Sequence, residues 1–504
     1  MSIIIILIFT IFFYFVFDFL YKNFSNRQFK GPLALPLVGS LLHLKDDTHL
    51  VFQKDSKLYG NDGKIIKYWF CDKLTLAIFD VNTMREIYLK NPESLNTRVK
   101  SPSTNVIGNR FRGIVTADEN YWQFHRDILM KSFTGRKVKS LSSSIEKETN
   151  HLISYMKFIE KSGQSFSPRS NFMNFYSNII FDYVFSRRIE NIYEGANEEQ
   201  GKVLIAIREL FDYLADTLIV NYLMFTKPFY FLYLKIFGHP ADPLKKILTK
   251  YYLEHSETID LNNARDVLDS LIIEYRKVGG KEEESSIIPM ANELILAGTE
   301  TNSSTAEWFI LTMVNHQDYQ EKIYNELSLA LKSAHSTTTA DDDSSTTTDK
   351  HMIKLSNRNQ TPLFNAALKE VLRLYPPVPF GVPREVNQSF EINGGSLKIP
   401  KGTQIIQSLY STFRDKNYWD SPDEFKPERF LDDSHSNNYY PYGIGVRNCI
   451  GMGFSQDELY ISLSNLILNF KLLPLVENSK ICDSPIFGFS FKPVEFKISL
   501  KQRN

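Results

Sequence analysis

The chain has 504 residues, 43% of them hydrophobic, with 58 Lys plus Arg balanced by 58 Asp plus Glu. A net charge of zero argues against a globally basic nucleic-acid binder and leaves only local patches as routes to a polyanion. Three cysteines, Cys71, Cys449 and Cys482, are too few and too scattered for a disulfide framework, which points to a reducing environment for most of the chain.

Residues 3–20 form an apolar stretch broken only by Thr10 and Asp18. Eighteen helical residues span roughly 27 Å, close to the thickness of a bilayer core. A cleaved signal peptide is disfavoured because no basic residue precedes the stretch and no small-residue cleavage site follows it. A buried helix is disfavoured because it rarely stays apolar on every side. Lys22, Arg27 and Lys30 follow, so the positive-inside rule keeps the rest of the chain cytosolic. The reading is a membrane anchor over residues 1–22, a Pro/Gly hinge over 23–40 containing GPLALPLVGS, and one globular domain over 41–504.

Residues 65–78 carry β-like runs, and 99–116 have the composition of a long loop. A helical pattern over 121–139 puts Trp122 and Arg126 on one face. The basic residues Lys131, Arg136, Lys137 and Lys139 gather at its end. Residues 172–252 are mostly amphipathic helix. Within them 214–237 is unusually aromatic, with Phe225, Phe229, Phe231 and Phe237. It reads either as a core helix pair or as the membrane-dipping rim of a pocket. The longest helical pattern covers 285–316, with Ser285 or Ser286 as a cap and Pro289 in the first turn. Its middle, Ala297-Gly298-Thr299-Glu300-Thr301-Asn302, breaks local rules: a mid-helix glycine costs about 1 kcal/mol relative to alanine, and buried polar groups need partners. Residues 334–350 are polar and of low complexity, as in a disordered surface insertion. A helix over 363–375 stops at Pro376-Pro377 and carries Glu370 and Arg373 on one side. An Asn393-Gly394 turn suits a hairpin over 390–399, a strand follows over 404–409, and 485–500 alternate like a terminal hairpin. The whole reads as mainly α with small β-sheets.

The stretch 440–453, YPYGIGVRNCIGMG, holds Cys449 in a loop too rich in glycine to be regular, just before an apolar run over 459–473. Arg447 and the mouth of a helix both favour thiolate over thiol. A lone cysteine is ordinarily an inert buried thiol. A zinc site is disfavoured because no second Cys or His stands at ligand spacing.

These residues together resemble the cytochrome P-450 family, the haem-thiolate monooxygenases, of the membrane-anchored eukaryotic microsomal kind. Tyr442, Gly445, Arg447, Cys449 and Gly451 stand at the intervals of F-x-x-G-x-R-x-C-x-G, with tyrosine where phenylalanine is usual. Residues 297–301 match A/G-G-x-D/E-T, with Asn302 replacing the usual Thr or Ser. Glu370 and Arg373 match E-x-x-R, residues 427–430 match P-E-R-F, and Trp122 and Arg126 match W-x-x-x-R. The short motifs are weak singly; the cysteine signature and the common order of all five are specific.

The resemblance implies the P-450 fold and haem b, iron protoporphyrin IX, with Cys449 as the axial ligand. It implies Trp122, Arg126, Arg384 and Arg447 as donors to the propionates, and Tyr442, Gly445, Gly451 and Ala297 around the porphyrin. Glu300 and Thr301 would deliver protons to dioxygen, with Gly298 making room for oxygen, and Glu370, Arg373 and Arg429 would form a buried ion network. Substrate contacts would come from 101–116, 211–225, 293–301, 378–382 and 487–491. The implied activity is insertion of one oxygen atom from O2 into a hydrophobic small molecule. Electrons would come from NADPH through a flavoprotein reductase, or a cytochrome b-type donor, docking near Lys131, at the endoplasmic reticulum membrane with the catalytic domain cytosolic. A haem-thiolate isomerase or dehydratase that does not use O2, and a non-catalytic haem-binding protein, are the alternatives. Retention of Glu300 and Thr301 argues against the first.

Overall fold

The computed structural model describes residues 2–44, 47–59, 64–117, 119–132, 135–190, 192–193, 198–216, 218–278, 285–337, 352–432, 434–488 and 490–503. Most of the expected insertion therefore lies outside the described residues, as do the side chains of Arg136, Lys137 and Lys139.

Helices dominate, and one organises the rest. The central helix Ile287–Asn315 runs 29 residues and is buried along most of its length. It packs on the helix Pro168–Phe185, on Pro362–Leu374, and on the helix Met452–Asn469 that follows the cysteine loop, here called the cysteine helix. An apolar cluster including Phe172, Phe309, Phe364 and Leu463 fills the junction, each such side chain contributing ~1.5–3 kcal/mol when fully buried. Trp308 stacks on Tyr375 at 3.8 Å. Ser286 occupies the N-cap position but makes no side-chain cap bond.

The sheets are small. Strands β1 (Ile65–Phe70) and β2 (Lys73–Ile78) form a hairpin, turning at Cys71 with φ 55°. They join β3 (Thr97–Arg98), β4 (Arg384–Glu385) and β7 (Gln404–Gln407) in the order β1-β2-β7-β4-β3. Strands β5 (Phe390–Ile392) and β6 (Leu397–Ile399) pair as the Asn393-Gly394 turn predicts, with both turn residues at positive φ. The C-terminal residues do not make the single hairpin their alternation suggests. Strand β9 (Pro485–Phe487) pairs with β10 (Phe491–Pro493), but β11 (Ile498–Gln502) leaves to pair with β8 (Phe470–Pro474). The expected loop over 99–116 contains a short helix, Pro102–Ile107, with a Ser101–Thr104 capping box.

The helix Ser2–Phe24 is exposed along nearly all its apolar length and is long enough to cross a membrane. The stretch after it is a packed strap rather than a hinge. Lys67 N–H donates to Lys30 O at 2.7 Å, and Ser40 N–H to Trp69 O at 2.6 Å. A Cβ on Gly31 would sit 1.8 Å from Lys67 O, so only glycine lets the strap lie this close to β1. Lys22 is buried against Asp18 at 2.7 Å, and Trp69 Nε1 caps Lys22 O at 2.8 Å.

The aromatic stretch over 214–237 resolves towards exposure. In the helix Lys227–Phe237 only Tyr230 is buried, while Phe225 just before it, Phe229 and Phe237 are 65–71% exposed, which excludes a core helix pair.

Candidate functional site

The cysteine loop is held by its own backbone. Cys449 N–H donates to Tyr442 O at 2.9 Å, and Asn448 N–H to Gly445 O at 3.0 Å. Gly443 and Gly445 have φ of 78° and 81°, which only glycine adopts freely, and a Cβ on Gly445 would press to 2.8 Å from Tyr88 O. Gly451 differs: a Cβ there would meet no atom within 4 Å, so the space beside the cysteine is open. Cys449 is itself accessible, although burial of its surroundings is the main force on the thiol and pushes its pKa up. A Gly451 backbone hydrogen bond and the Arg126 charge oppose that rise. The expectation that the environment alone favours thiolate is thus corrected, and the influential cation is Arg126. Arg447 turns away, donating to Asn96 O at 2.8 Å and Ala117 O at 2.7 Å.

On the central helix, away from its ends, exposure returns in mid-length: Ala297 is exposed and Gly298 and Thr301 are half-buried, between buried turns on either side. This is one face of one turn, so the helix opens there onto an interior space. Thr301 Oγ1 donates to Ala297 O at 2.6 Å, which leaves its lone pairs free to accept. Glu300 is buried on another side and accepts from Lys492 Nζ at 2.9 Å and Ser490 Oγ at 3.0 Å. Among the described residues no hydrogen bond joins Glu300 to Thr301. The missing Cβ of Gly298 would come within 2.8 Å of Ile180 Cδ1, so this glycine leaves room for that side chain. One turn further towards the N-terminus, Glu293 accepts from Val115 N–H at 2.6 Å and Thr116 Oγ1 at 2.8 Å, pinning the loop of residues 113–116 over the helix. Burial pushes its carboxyl up to about 7.

Trp122 lies between two guanidiniums, Arg447 at 4.3 Å and Arg126 at 5.7 Å from its ring. Arg126 donates to Asn448 O at 3.1 Å and Oδ1 at 2.9 Å. Arg384 is buried, stacks over Tyr88 at 4.5 Å and donates to Ile444 O at 2.8 Å, while its Nη1 has no partner. Strand pairing sets Arg98 opposite it. Arg98 donates to Val382 O at 2.7 Å, and its Nε is buried without a partner. Burial, then repulsion from Arg384, pushes Arg98 down to about 9. Burial lowers Arg384 and Arg126 as well. Among the described residues, none of Arg98, Arg126 and Arg384 has a carboxylate partner. Arg98 was not legible as a site residue, because only the β3–β4 pairing brings it to Arg384.

A second arginine cluster is arranged otherwise. Glu370 and Arg373 are fully buried and joined by two hydrogen bonds of 2.7 and 2.8 Å. Arg429 Nε adds a third at 3.0 Å. Arg373 also donates to Phe413 O at 2.6 Å and Pro422 O at 2.7 Å, and Lys426 N–H to Glu370 at 3.0 Å. Of the basic residues near the Trp122 helix, Lys131 bridges to Glu274 at 2.8 Å.

An accessible cysteine on a glycine turn, beside open space edged by unneutralised arginines, is a donor set for a metal group carrying carboxylates. Residues 29–500 match the sequence profile of the family described as Cytochrome P450. The chain belongs to the cytochrome P450 family. It is 88% identical over 508 residues to a probable cytochrome P450 518A1 of Dictyostelium discoideum, covering 100% of both chains. It is 47% identical to that organism's probable cytochrome P450 518B1, covering 99% of both. Among solved structures, a zebra fish cytochrome P450 with abiraterone superposes with a TM-score of 0.74 at 25% identity, covering 90% of this chain and 99% of that one. Another with progesterone gives 0.77 at 24%, with the same coverage. As a cytochrome P450 the chain is a haem-binding monooxygenase, an oxidoreductase. The residues fit that cofactor: a sulfur donor faces open space, and the buried Arg384 with half-buried Arg98 and Arg126, none ion-paired among the described residues, are suited to propionates. Iron on the sulfur would hold it as thiolate whatever the thiol's own pKa.

Proposed function

We propose that this chain is anchored in the endoplasmic reticulum membrane by the helix Ser2–Phe24, with its catalytic domain in the cytosol, and inserts one atom of O2 into an apolar small molecule. Electrons come from NADPH through a flavoprotein reductase or a cytochrome b-type donor. The observation that carries the reading is the accessible Cys449 near the buried Arg384 and the half-buried Arg98 and Arg126, none of which forms an ion pair with a carboxylate among the described residues.

Cys449 Sγ holds the haem iron. Arg98, Arg126 and Arg384, with Trp122 and Arg447, hold the propionates. Tyr442, Gly445, Gly451 and Ala297 line the porphyrin. Bound haem supplies an iron centre for dioxygen chemistry, whose thiolate ligand favours O–O cleavage. Thr301 Oγ1 sits on the accessible mid-helix turn, donates to Ala297 O, and keeps its lone pairs free to accept a hydrogen bond from water. Glu300 takes a proton from solvent through Lys492, whose side chain is 24% exposed, and rotation of the carboxyl brings it to the Thr301 hydroxyl. The buried Glu370–Arg373–Arg429 network fixes the segment leading to the cysteine loop. The exposed aromatic helix Lys227–Phe237 and the anchor helix suit a substrate arriving from the lipid phase. The abiraterone held by the similar zebra fish protein supports a small-molecule ligand.

The test is reconstitution in membranes with a reductase. NADPH oxidation coupled to product from an apolar substrate library, and lost in Thr301→Ala, is the expected result. Substrate turnover without O2 would overturn it.

A further inference from the structure

The two positions at which the chain departs from the family's motifs, Tyr442 and Asn302, meet in the structure through a third residue, Ser455. The Tyr442 hydroxyl lies 3.5 Å from Ser455 Oγ, and Ser455 Oγ lies 2.6 Å from Asn302 Oδ1. An amide oxygen only accepts, so the serine proton is committed to Asn302. Ser455 can then only accept from Tyr442, and the phenol must be the donor. Asn302 Nδ2 in turn donates to Glu458 Oε2. The donors therefore run in one direction, from the cysteine loop through the first turn of the cysteine helix into the central helix, and back to Glu458. Asn302 and Glu458 are 3% and 1% exposed, so water does not substitute for a missing link. Burial holds the Glu458 carboxyl well above the ordinary range, which suits the neutral end of such a chain.

The direction matters because Tyr442 belongs to the ligand loop itself: its carbonyl accepts from Cys449 N–H at 2.9 Å. A phenol O–H aimed at a thiolate withdraws electron density from the sulfur and raises the potential of the metal it holds. The Tyr442 O–H instead points to Ser455. We propose that Ser455, Asn302 and Glu458 are positioning residues for the haem-ligating loop, holding the Tyr442 phenol turned from the Cys449 sulfur so that a tyrosine serves in the phenylalanine position. This rests on the assignment of Cys449 as the haem ligand.

The test compares wild type, Ser455→Ala, Ser455→Thr, Tyr442→Phe and the double variant Tyr442→Phe/Ser455→Ala. The readouts are the ferric/ferrous potential and the absorption of the reduced, carbon monoxide-bound form. Ser455→Ala frees the phenol, and its reduction equilibrium is expected to shift towards the reduced form by roughly tenfold, about 59 mV for one electron. Tyr442→Phe sets its own reference, and the double variant is expected to match it, because without a phenol the serine has nothing to position. Ser455→Thr keeps the hydroxyl and is expected to retain the wild-type potential. An equal shift from Ser455→Ala in both backgrounds, or no shift in either, would overturn the proposal while leaving the haem assignment intact. A wild-type chain lacking the thiolate-type band would overturn both.

Discussion

Two groups of arginines divide this molecule by what neutralises them. Arg373 and Arg429 converge on Glu370, and the surplus N–H groups are taken by backbone carbonyls. Arg98, Arg126 and Arg384 bind carbonyl or amide oxygens only, and two of them keep buried nitrogens without partners. Burying a cation without a counter-charge costs several kcal/mol, so a fold that buries Arg384 this way, with half-buried Arg98 and Arg126 also lacking an ion pair among the described residues, suits an anion that the polypeptide does not supply. The same side chain is structural where its partner is in the chain and functional where its partner must be bound.

Glu370→Ala breaks the first group and should have the largest effect, a loss of about 3–5 kcal/mol, since two guanidiniums are stranded. Denaturant unfolding and haem per polypeptide measure it; little haem-loaded protein should be recovered. Normal haem content would mean that the network does not hold the cysteine loop.

Glu293 is the acid whose charge acts on Arg98, and it sharpens the contrast through pH. Its folded pKa, about 7, is above its ordinary value of 4.5, so between those values the folded state holds more protons than the unfolded one. Stability is therefore greatest below the unfolded value and falls as pH rises through 7, by up to about 3 kcal/mol from this group. Glu293→Gln should flatten that fall. Glu307, also pushed up to about 7, contributes part of the remaining slope, as do the raised Glu326 and Glu458. An unchanged profile in Glu293→Gln would remove Glu293 as a source.

Arg384→Ala attacks the second group and should behave oppositely to Glu370→Ala. Removing an uncompensated cation relieves desolvation while losing one hydrogen bond and the stack on Tyr88, so stability without haem should move by less than about 1 kcal/mol. Haem retention should fall by about tenfold, or ~1.4 kcal/mol. A haem-free stability loss as large as that of Glu370→Ala would erase the distinction.

Lys492 stands between the two cases: it neutralises the buried Glu300 from a partly exposed position. Lys492→Met should lower product per NADPH only a few-fold, well under the ~100-fold typical of a direct acid. Steady-state coupling measurements check this, and a loss as large as that of Thr301→Ala would make the lysine essential to proton delivery.

The sequence made most of this legible where chemistry is local. The glycine turn around Cys449, the Glu370–Arg373 spacing and the Asn393-Gly394 hairpin need only a few consecutive residues. What was not legible depends on pairings between distant segments. Arg98 meets Arg384 through a two-residue strand pairing. Glu293 owes its role to the loop that folds onto it. The glycines of the strap at 31–40 signal a hinge by composition, yet they serve close packing against β1. Residues 485–500 alternate as one hairpin but divide between two sheets, because β11 finds a longer partner in β8. Arg447 stands two residues from Cys449 in sequence, yet Arg126, from another helix, is the cation that acts on the sulfur.

The most direct measurement is the absorption of reduced, carbon monoxide-treated membranes from cells making the wild-type chain or Cys449→Ser. The red-shifted band of a thiolate-ligated haem should appear in the first and vanish in the second. A haem-loaded wild type without that band, or the same band in both, would contradict the assignment of Cys449 and the site built around it.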